Sequence, residues 1–216
     1  DTEQRQPAIR GAGPAVRARL GHVAQYGTLL HNMKRMTDQR SSVSPSPVVE
    51  PPVVELPVVE LHGRGLTVDV VAVARHGAPV ALADDARAAM TRSAALVDGF
   101  VAGDTPVYGV TTGFGSLANT VIPAERTAEL QVALVRSHAT GMGDPVEHEV
   151  VRALLLLRAR SLSIGFSGAR PALVDLQVAM LNAGITPVVR EHGSLGASGD
   201  LAPLSHCALS LIGEGE

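Results

Sequence analysis

The tripeptide Ala197-Ser198-Gly199 joins a small side chain, a β-hydroxyl and a residue without Cβ. A segment of that kind can fold sharply on itself. In a turn tight enough, the Gly199 amide nitrogen meets the Ala197 carbonyl carbon, and attack there closes a five-membered ring. Loss of one water from the ring and a second from the Ser198 side chain leaves an exocyclic methylene conjugated to carbonyl groups. The product is a strong electrophile built from chain atoms alone. Ser198 also invites a nucleophilic reading. The nucleophile elbow of hydrolases is G-x-S-x-G, whereas Gly196-Ala197-Ser198-Gly199-Asp200 puts Asp at the final glycine position, which disfavours a serine hydrolase.

Two other places carry residue types suited to chemistry. Tyr108-Gly109-Val110-Thr111-Thr112-Gly113-Phe114-Gly115 makes a poor helix and a poor strand. Such a loop lets the backbone approach a ligand closely; the plain alternative is a surface loop with a half-buried Tyr108. His138 falls near the end of a helical pattern, where a protonated imidazole is favoured; the plain alternative is a structural histidine. His138, His148, His192 and His206 do not stand at metal-ligand spacings with acids or Cys207, so no metal site is expected. Gly11-Ala12-Gly13 lacks the later glycine of a dinucleotide fingerprint, and there is no P-loop lysine pattern.

Composition limits what can position these groups. Apolar residues make up 45% of the chain and aromatics 2%, with no Trp. Ala, Val and Leu must therefore fill the core, which favours packed helices and a mainly α fold over a β-sandwich. The formal charge of −3 offers no nucleic-acid footprint. The single Cys207 excludes an internal disulfide and suits a reducing, cytoplasmic setting. Apolar runs fall far short of the ~20 residues that span a bilayer, so no membrane partner is expected. No signal-peptide pattern opens the sequence. The chain starts at Asp1 rather than Met and stops in Gly-Glu-Gly-Glu; the expectation is a fragment, cut at its C-terminal end and open to question at its N-terminal end.

Residues 1–40 carry seven Lys/Arg against three Asp/Glu and little apolar periodicity. They read as a disordered or artefactual basic head. Residues 41–64 read as a Pro/Val/Glu-rich linker, with Pro-Val-Val-Glu at 47–50, 52–55 and 57–60. Proline at that density blocks helix and central strand. The folded part is expected from Gly65 to Glu216. Thr67 is placed as the cap of a short helix through Val73, ended by His76-Gly77, and Pro79–Leu82 as an extended piece. Asp84 and Asp85 open a helix whose apolar positions are Ala86, Met90, Leu96/Val97 and Phe100, closed by Gly103. Pro123 opens a helix running to His138. Asp144-Pro145 opens a strongly apolar one through Val146, Val150, Leu154 and Leu157, ended by Gly165. Pro171 opens a third, ended by Gly184. An extended piece over 185–189 then leads to Gly193, and Asp200 is expected to cap a final helix from Leu201. That places Ala197-Ser198-Gly199 at a helix N-terminus, where backbone N–H groups favour developing negative charge.

The run Gly193-Ser194-Leu195-Gly196-Ala197-Ser198-Gly199-Asp200-Leu201-Ala202-Pro203-Leu204-Ser205-His206 resembles the aromatic amino acid ammonia-lyases and aminomutases. The Tyr108–Gly115 loop and Arg136-Ser137-His138-Ala139 are similar to two further motifs of that family, in the family's order. Thr111 stands where many members carry Asn. The resemblance runs from about Gly65 to Glu216. It implies the helical N-terminal domain of the ammonia-lyase (fumarase/aspartase-like) fold, with short extended pieces. It implies a methylidene-imidazolone formed autocatalytically from Ala197-Ser198-Gly199, with Asp200 assisting ring closure and no metal or external cofactor. Tyr108 is then the base for the substrate β-proton. His138, Gly115 and Leu195 become substrate-binding, with His138 selecting the ring. Histidine, giving urocanate, is the first expectation; a tyrosine ammonia-lyase or tyrosine 2,3-aminomutase activity is the alternative. The family also implies a homotetramer, with residues that grip the substrate carboxylate lying beyond Glu216. The 216 residues alone are therefore expected to be poorly active. Cys207 is expected to be buried packing.

Overall fold

The computed structural model describes residues 56–63, 69–103, 105–196 and 199–216. The basic head, most of the linker, Thr67 and the pair Ala197-Ser198 lie outside the described residues. In chain order the elements are β1 (Val59–Leu61), α1 (Val70–Ala74), β2 (Val80–Leu82) and α2 (Asp84–Ala102), then 3-10 turns at Gly115–Leu117 and Ala124–Arg126. There follow α3 (Thr127–His138), β3 (Met142–Pro145), α4 (His148–Ser163), α5 (Pro171–Asn182), β4 (Arg190–His192) and α6 (Leu201–Leu211). The fold is mainly helical.

Helix α4 is the axis of the core. It buries Val151, Leu155, Leu156, Ala159 and Leu162, a stripe of three- and four-residue steps. Helices α1, α2 and α5 pack against it. Val73, Met90, Val174, Leu181 and the strand residues Leu61 and Val80 complete the same apolar cluster. The helix does not start at Asp144-Pro145 as the sequence suggested. It starts at His148, and Val150 and Leu157 are 50% and 49% exposed. The continuous run Leu154–Leu157 conceals the helical phase, because every position in it is apolar. Residues 142–145 instead form β3, antiparallel to β4, with Met142 opposite His192 and Pro145 opposite Arg190. The residue before a proline avoids the helical region, which suits Asp144 to a strand.

Packed structure begins by Leu56 rather than near Gly65. Strand β1 falls within the segment read as linker, and Leu61 is fully buried. It pairs in parallel with β2, Val59 opposite Val80 and Leu61 opposite Leu82. Pro57 removes only its own donor; the Val59 N–H is free to reach the Pro79 carbonyl at 2.8 Å. Asp69 caps α1, its carboxylate accepting the Ala72 N–H at 2.8 Å. In α2 the buried stripe is Ala86, Met90 and Ala94. Leu96 and Phe100, expected in the core, are 65% and 46% exposed. Leu96 lies about 200° round the helix from Ala94, on the far side from the stripe.

Two polar side chains tie the core together. Arg152 of α4 donates to the carbonyls of Val73 at 2.9 Å, Ala74 at 3.2 Å and Leu181 at 3.0 Å. It thus satisfies the open C-terminal ends of α1 and α5 at once. The Asn182 amide accepts the Val80 N–H at 2.8 Å and donates to the Val80 carbonyl at 2.9 Å, completing β2 as a neighbouring strand would. Among the described residues, no helix is long and apolar enough to cross a membrane.

Candidate functional site

The Tyr108 loop is a chain of turns held by its own threonines. Thr111 Oγ1 accepts the Val107 N–H at 2.8 Å, and Thr112 Oγ1 donates to the Gly113 carbonyl at 3.1 Å. The Ile122 N–H reaches the Thr111 carbonyl at 2.9 Å, fastening the loop to the segment that enters α3. A cavity of about 320 Å³ beneath it is walled by Thr105, Pro106, Thr111, Ile122 and Thr127. The Tyr108 ring stands edge-on to Phe114, centroids 5.8 Å apart and planes at 81°. Gly109 is required by this pairing: its φ is +72° and a Cβ there would sit 2.7 Å from Phe114 Cε1. Tyr108 is 63% exposed rather than half-buried. Its phenol oxygen accepts the Gly115 N–H at 3.4 Å. A backbone donor is therefore aimed at the atom that carries negative charge when a tyrosine works as a base.

His138 is the last residue of α3. Its Nδ1 lies 2.9 Å from the Leu134 carbonyl, and Ser137 Oγ donates to that same carbonyl at 2.9 Å. Ser137 Oγ lies 2.9 Å from that Nδ1 as well. A neutral ring that gives its Nδ1–H to the carbonyl keeps a lone pair on Nε2.

Helix α6 begins after Asp200. Asp200 occupies the N-cap position, and its backbone carbonyl accepts the Leu204 N–H at 3.0 Å. Its side chain makes no capping bond, contrary to expectation. It accepts the Ser194 hydroxyl instead, across the loop that holds the tripeptide. Gly196 and Gly199, on either side of Ala197-Ser198, have φ of +62° and +84°. The described flanks thus carry two glycines at positive φ, lead into a helix N-terminus and hold a hydrogen-bonded carboxylate. Leu195 is 90% exposed. Among the described residues, no group of three or more His, Cys, Asp or Glu could hold a metal ion.

Helices α3 and α6 pack against each other, which brings the elements carrying His138 and Asp200 together. The Gly141 N–H donates to His206 Nε2 at 3.0 Å. Arg136, two residues before His138, pairs through two hydrogen bonds with Glu214, its Nε 2.8 Å from the carboxylate. Among the described residues, the polar and ring contacts of Tyr108 stay within its own loop and do not reach His138 or Asp200. Sequence reasoning missed Ser194 and the Gly141–His206 bond. Ser194 and His206 lay in plain view within the motif, but only the fold shows which atoms they meet.

Residues 66–216 match the family model described as aromatic amino acid lyase. The chain belongs to the aromatic amino acid lyase family. Among curated relatives of this family, a histidine ammonia-lyase of Streptomyces griseus is 58% identical over 148 residues, covering 68% of this chain and 29% of that protein. One from Symbiobacterium thermophilum is 54% identical, covering 71% of this chain and 31% of that protein. Among solved structures, the tyrosine aminomutase of Streptomyces globisporus superposes with a TM-score of 0.69 at 39% identity, covering 74% of this chain and 30% of its own. The histidine ammonia-lyase of Trypanosoma cruzi gives 0.65 at 38% identity, over 74% and 30% of the two chains. The chain thus spans about a third or less of the length of these relatives.

Proposed function

We propose that the full-length protein eliminates ammonia from L-histidine, without oxidation, to give urocanate. The observation that carries this reading is the place of His138 at the end of α3, the helix packed against α6. With Nδ1–H given to the Leu134 carbonyl, Nε2 can accept the N–H of a substrate imidazole. Phenylalanine offers no such donor. The relatives named histidine ammonia-lyase support the same substrate.

The methylidene-imidazolone formed from Ala197-Ser198-Gly199 would supply an electrophile for the substrate amine and so make it a better leaving group. The remaining work falls to the chain's own side chains. Tyr108 takes the β-proton on its phenol oxygen, with the Gly115 N–H directed at that oxygen. The bonding pair left at the β-carbon forms the new double bond as the amine departs with its electrons. Asp200, held by Ser194, stands beside the tripeptide to take and return protons during ring closure. Gly115 and Leu195 border the substrate. We place the work in the cytoplasm, in a homotetramer whose complete sites need residues this chain does not contain; the 216 residues alone are expected to be poorly active.

The second reading is a tyrosine ammonia-lyase or tyrosine 2,3-aminomutase, favoured by the superposition on a tyrosine aminomutase. The same Nε2 would accept a phenol O–H, and in a mutase the ammonia would return at the β-carbon. Ammonia release and product identity on histidine, tyrosine and phenylalanine decide between them. Urocanate with ammonia is expected from histidine. β-Tyrosine formed without net ammonia would establish the mutase. Histidine turnover untouched by His138→Leu would remove His138 from substrate selection.

A further inference from the structure

Three segments that serve the proposed site converge on one point. The first follows His138 at the end of α3, where Gly141 leads into β3. The second is Gly193, which leaves β4 and enters the loop holding the tripeptide. The third is the first turn of α6, just after Asp200. A Cβ on Gly193 would lie 3.0 Å from Ala202 Cβ and 3.2 Å from Gly141 Cα. A Cβ on Gly141 would lie 2.8 Å from His206 Nε2 and 3.1 Å from Arg190 Cβ. The backbones therefore meet with no room for side chains. The polar bond across this junction runs from the Gly141 N–H to His206 Nε2, at 3.0 Å.

We propose that His206 is a positioning residue that fixes the spacing between His138 and the start of α6 at Asp200 by holding Gly141 against α6. The proposal rests on the lyase reading for what is being spaced, but its physical content is the junction itself. The imidazole can hold Gly141 only while Nε2 is unprotonated. Burial pushes the His206 pKa below its ordinary value, as does Arg190 on β4, while Glu216 opposes them. β4 also carries Glu191 and His192, which pair with each other at 3.1 Å. From α3 comes Arg136, engaged by Glu214. For a histidine whose folded pKa is depressed, the stabilising contribution is present above the unfolded value of ~6.5 and is lost as pH falls through the folded one. Protonated His206 would point an N–H at an N–H, and the junction would open.

The test uses the full-length protein and the variants His206→Gln and His206→Leu. A glutamine side-chain oxygen can accept the Gly141 N–H but does not titrate; leucine can do neither. Hydrogen exchange of the peptide containing Gly141 is read first, because it needs no catalysis. Leucine is expected to accelerate that exchange about tenfold, the worth of one buried hydrogen bond, while glutamine keeps it near wild type. With each rate divided by the intrinsic rate at the same pH, lowering the pH from 7 to 5 is expected to reduce the protection of Gly141 in wild type and not in the glutamine variant. On substrate, the leucine variant is expected to lose kcat with a smaller change in KM, and glutamine to restore it. Equal exchange in wild type and the leucine variant would overturn the proposal. So would a loss of Gly141 protection between pH 7 and 5 that the glutamine variant shares with wild type. If the exchange results hold while no ammonia is released from any aromatic amino acid, the lyase reading fails and the junction stands.

Discussion

Arg152 offers a test of how the core is held, with a size that follows from its contacts. Its guanidinium closes the carbonyls of Val73, Ala74 and Leu181 at the ends of two helices. Its own pKa is lowered by burial, so a partly desolvated cation is being held by carbonyl dipoles. Replacing it with methionine keeps the volume of the stem and removes all three donors. A buried carbonyl left without a partner costs about 1–3 kcal/mol. Water can reach part of this site, since Arg152 and Ala74 are only half-buried, so we expect about 3 kcal/mol rather than the sum of three full penalties. For a chain of this size that corresponds to a fall in Tm of roughly 6–12 °C. Arg152→Lys should recover part of the loss, because an ammonium reaches one helix end but not both. The assay is reversible denaturant unfolding of wild type and both variants. A methionine variant within about 0.5 kcal/mol of wild type, the scatter of ordinary surface changes, would refute the assignment of Arg152 as a shared helix cap.

Other consequences are independent of the chemistry. Asn182→Leu should destabilise by about 2 kcal/mol, because both the N–H and the carbonyl of Val80 lose their partner; the same unfolding assay reads it. Cys207 is 3% exposed, and burial pushes its thiol up to about 11. It should resist alkylation at pH 7.5 in the native protein and react fully in denaturant. Arg136 holds the Glu214 carboxyl below its ordinary value of 4.5, chiefly through their hydrogen bond, with desolvation opposing and their opposite charges adding. That contribution is present above the unfolded value and is lost as pH falls through the folded one. The Tm curves of wild type and Arg136→Gln should therefore converge as the pH falls below 4.5, and a constant offset would contradict the pairing.

The sequence made the helices legible where a cap and a stop bracketed a periodic run. Pro171 to Gly184 and Asp84 to Gly103 bound their helices as read. Phase was lost where composition carried no contrast, as in Leu154–Leu157, where four apolar residues fit any face. Strands of three or four residues escaped in three places, β4 at Arg190–His192 falling just past the extended piece read over 185–189. Val59–Leu61 sat behind proline repeats, and Met142–Pro145 showed neither alternation nor β-branched residues. What makes them strands is a partner remote in sequence. The reactive motifs were legible because their residue types are unusual together. Their partners were not: the Asp200 side chain turned to Ser194 instead of capping α6, a choice between two nearby donors that no spacing rule decides.

The account rests on Ala197-Ser198-Gly199 becoming an electrophile that the protein uses on histidine. The most direct measurement pairs intact mass with urocanate formation for the full-length protein and for Ser198→Ala. The wild-type chain is expected to be two waters lighter than its sequence and to form urocanate with ammonia. The variant is expected to have the full sequence mass, with its rate down by several orders of magnitude. A wild-type chain that carries its full sequence mass, as the variant does, with ammonia release equal in the two, would contradict the central claim.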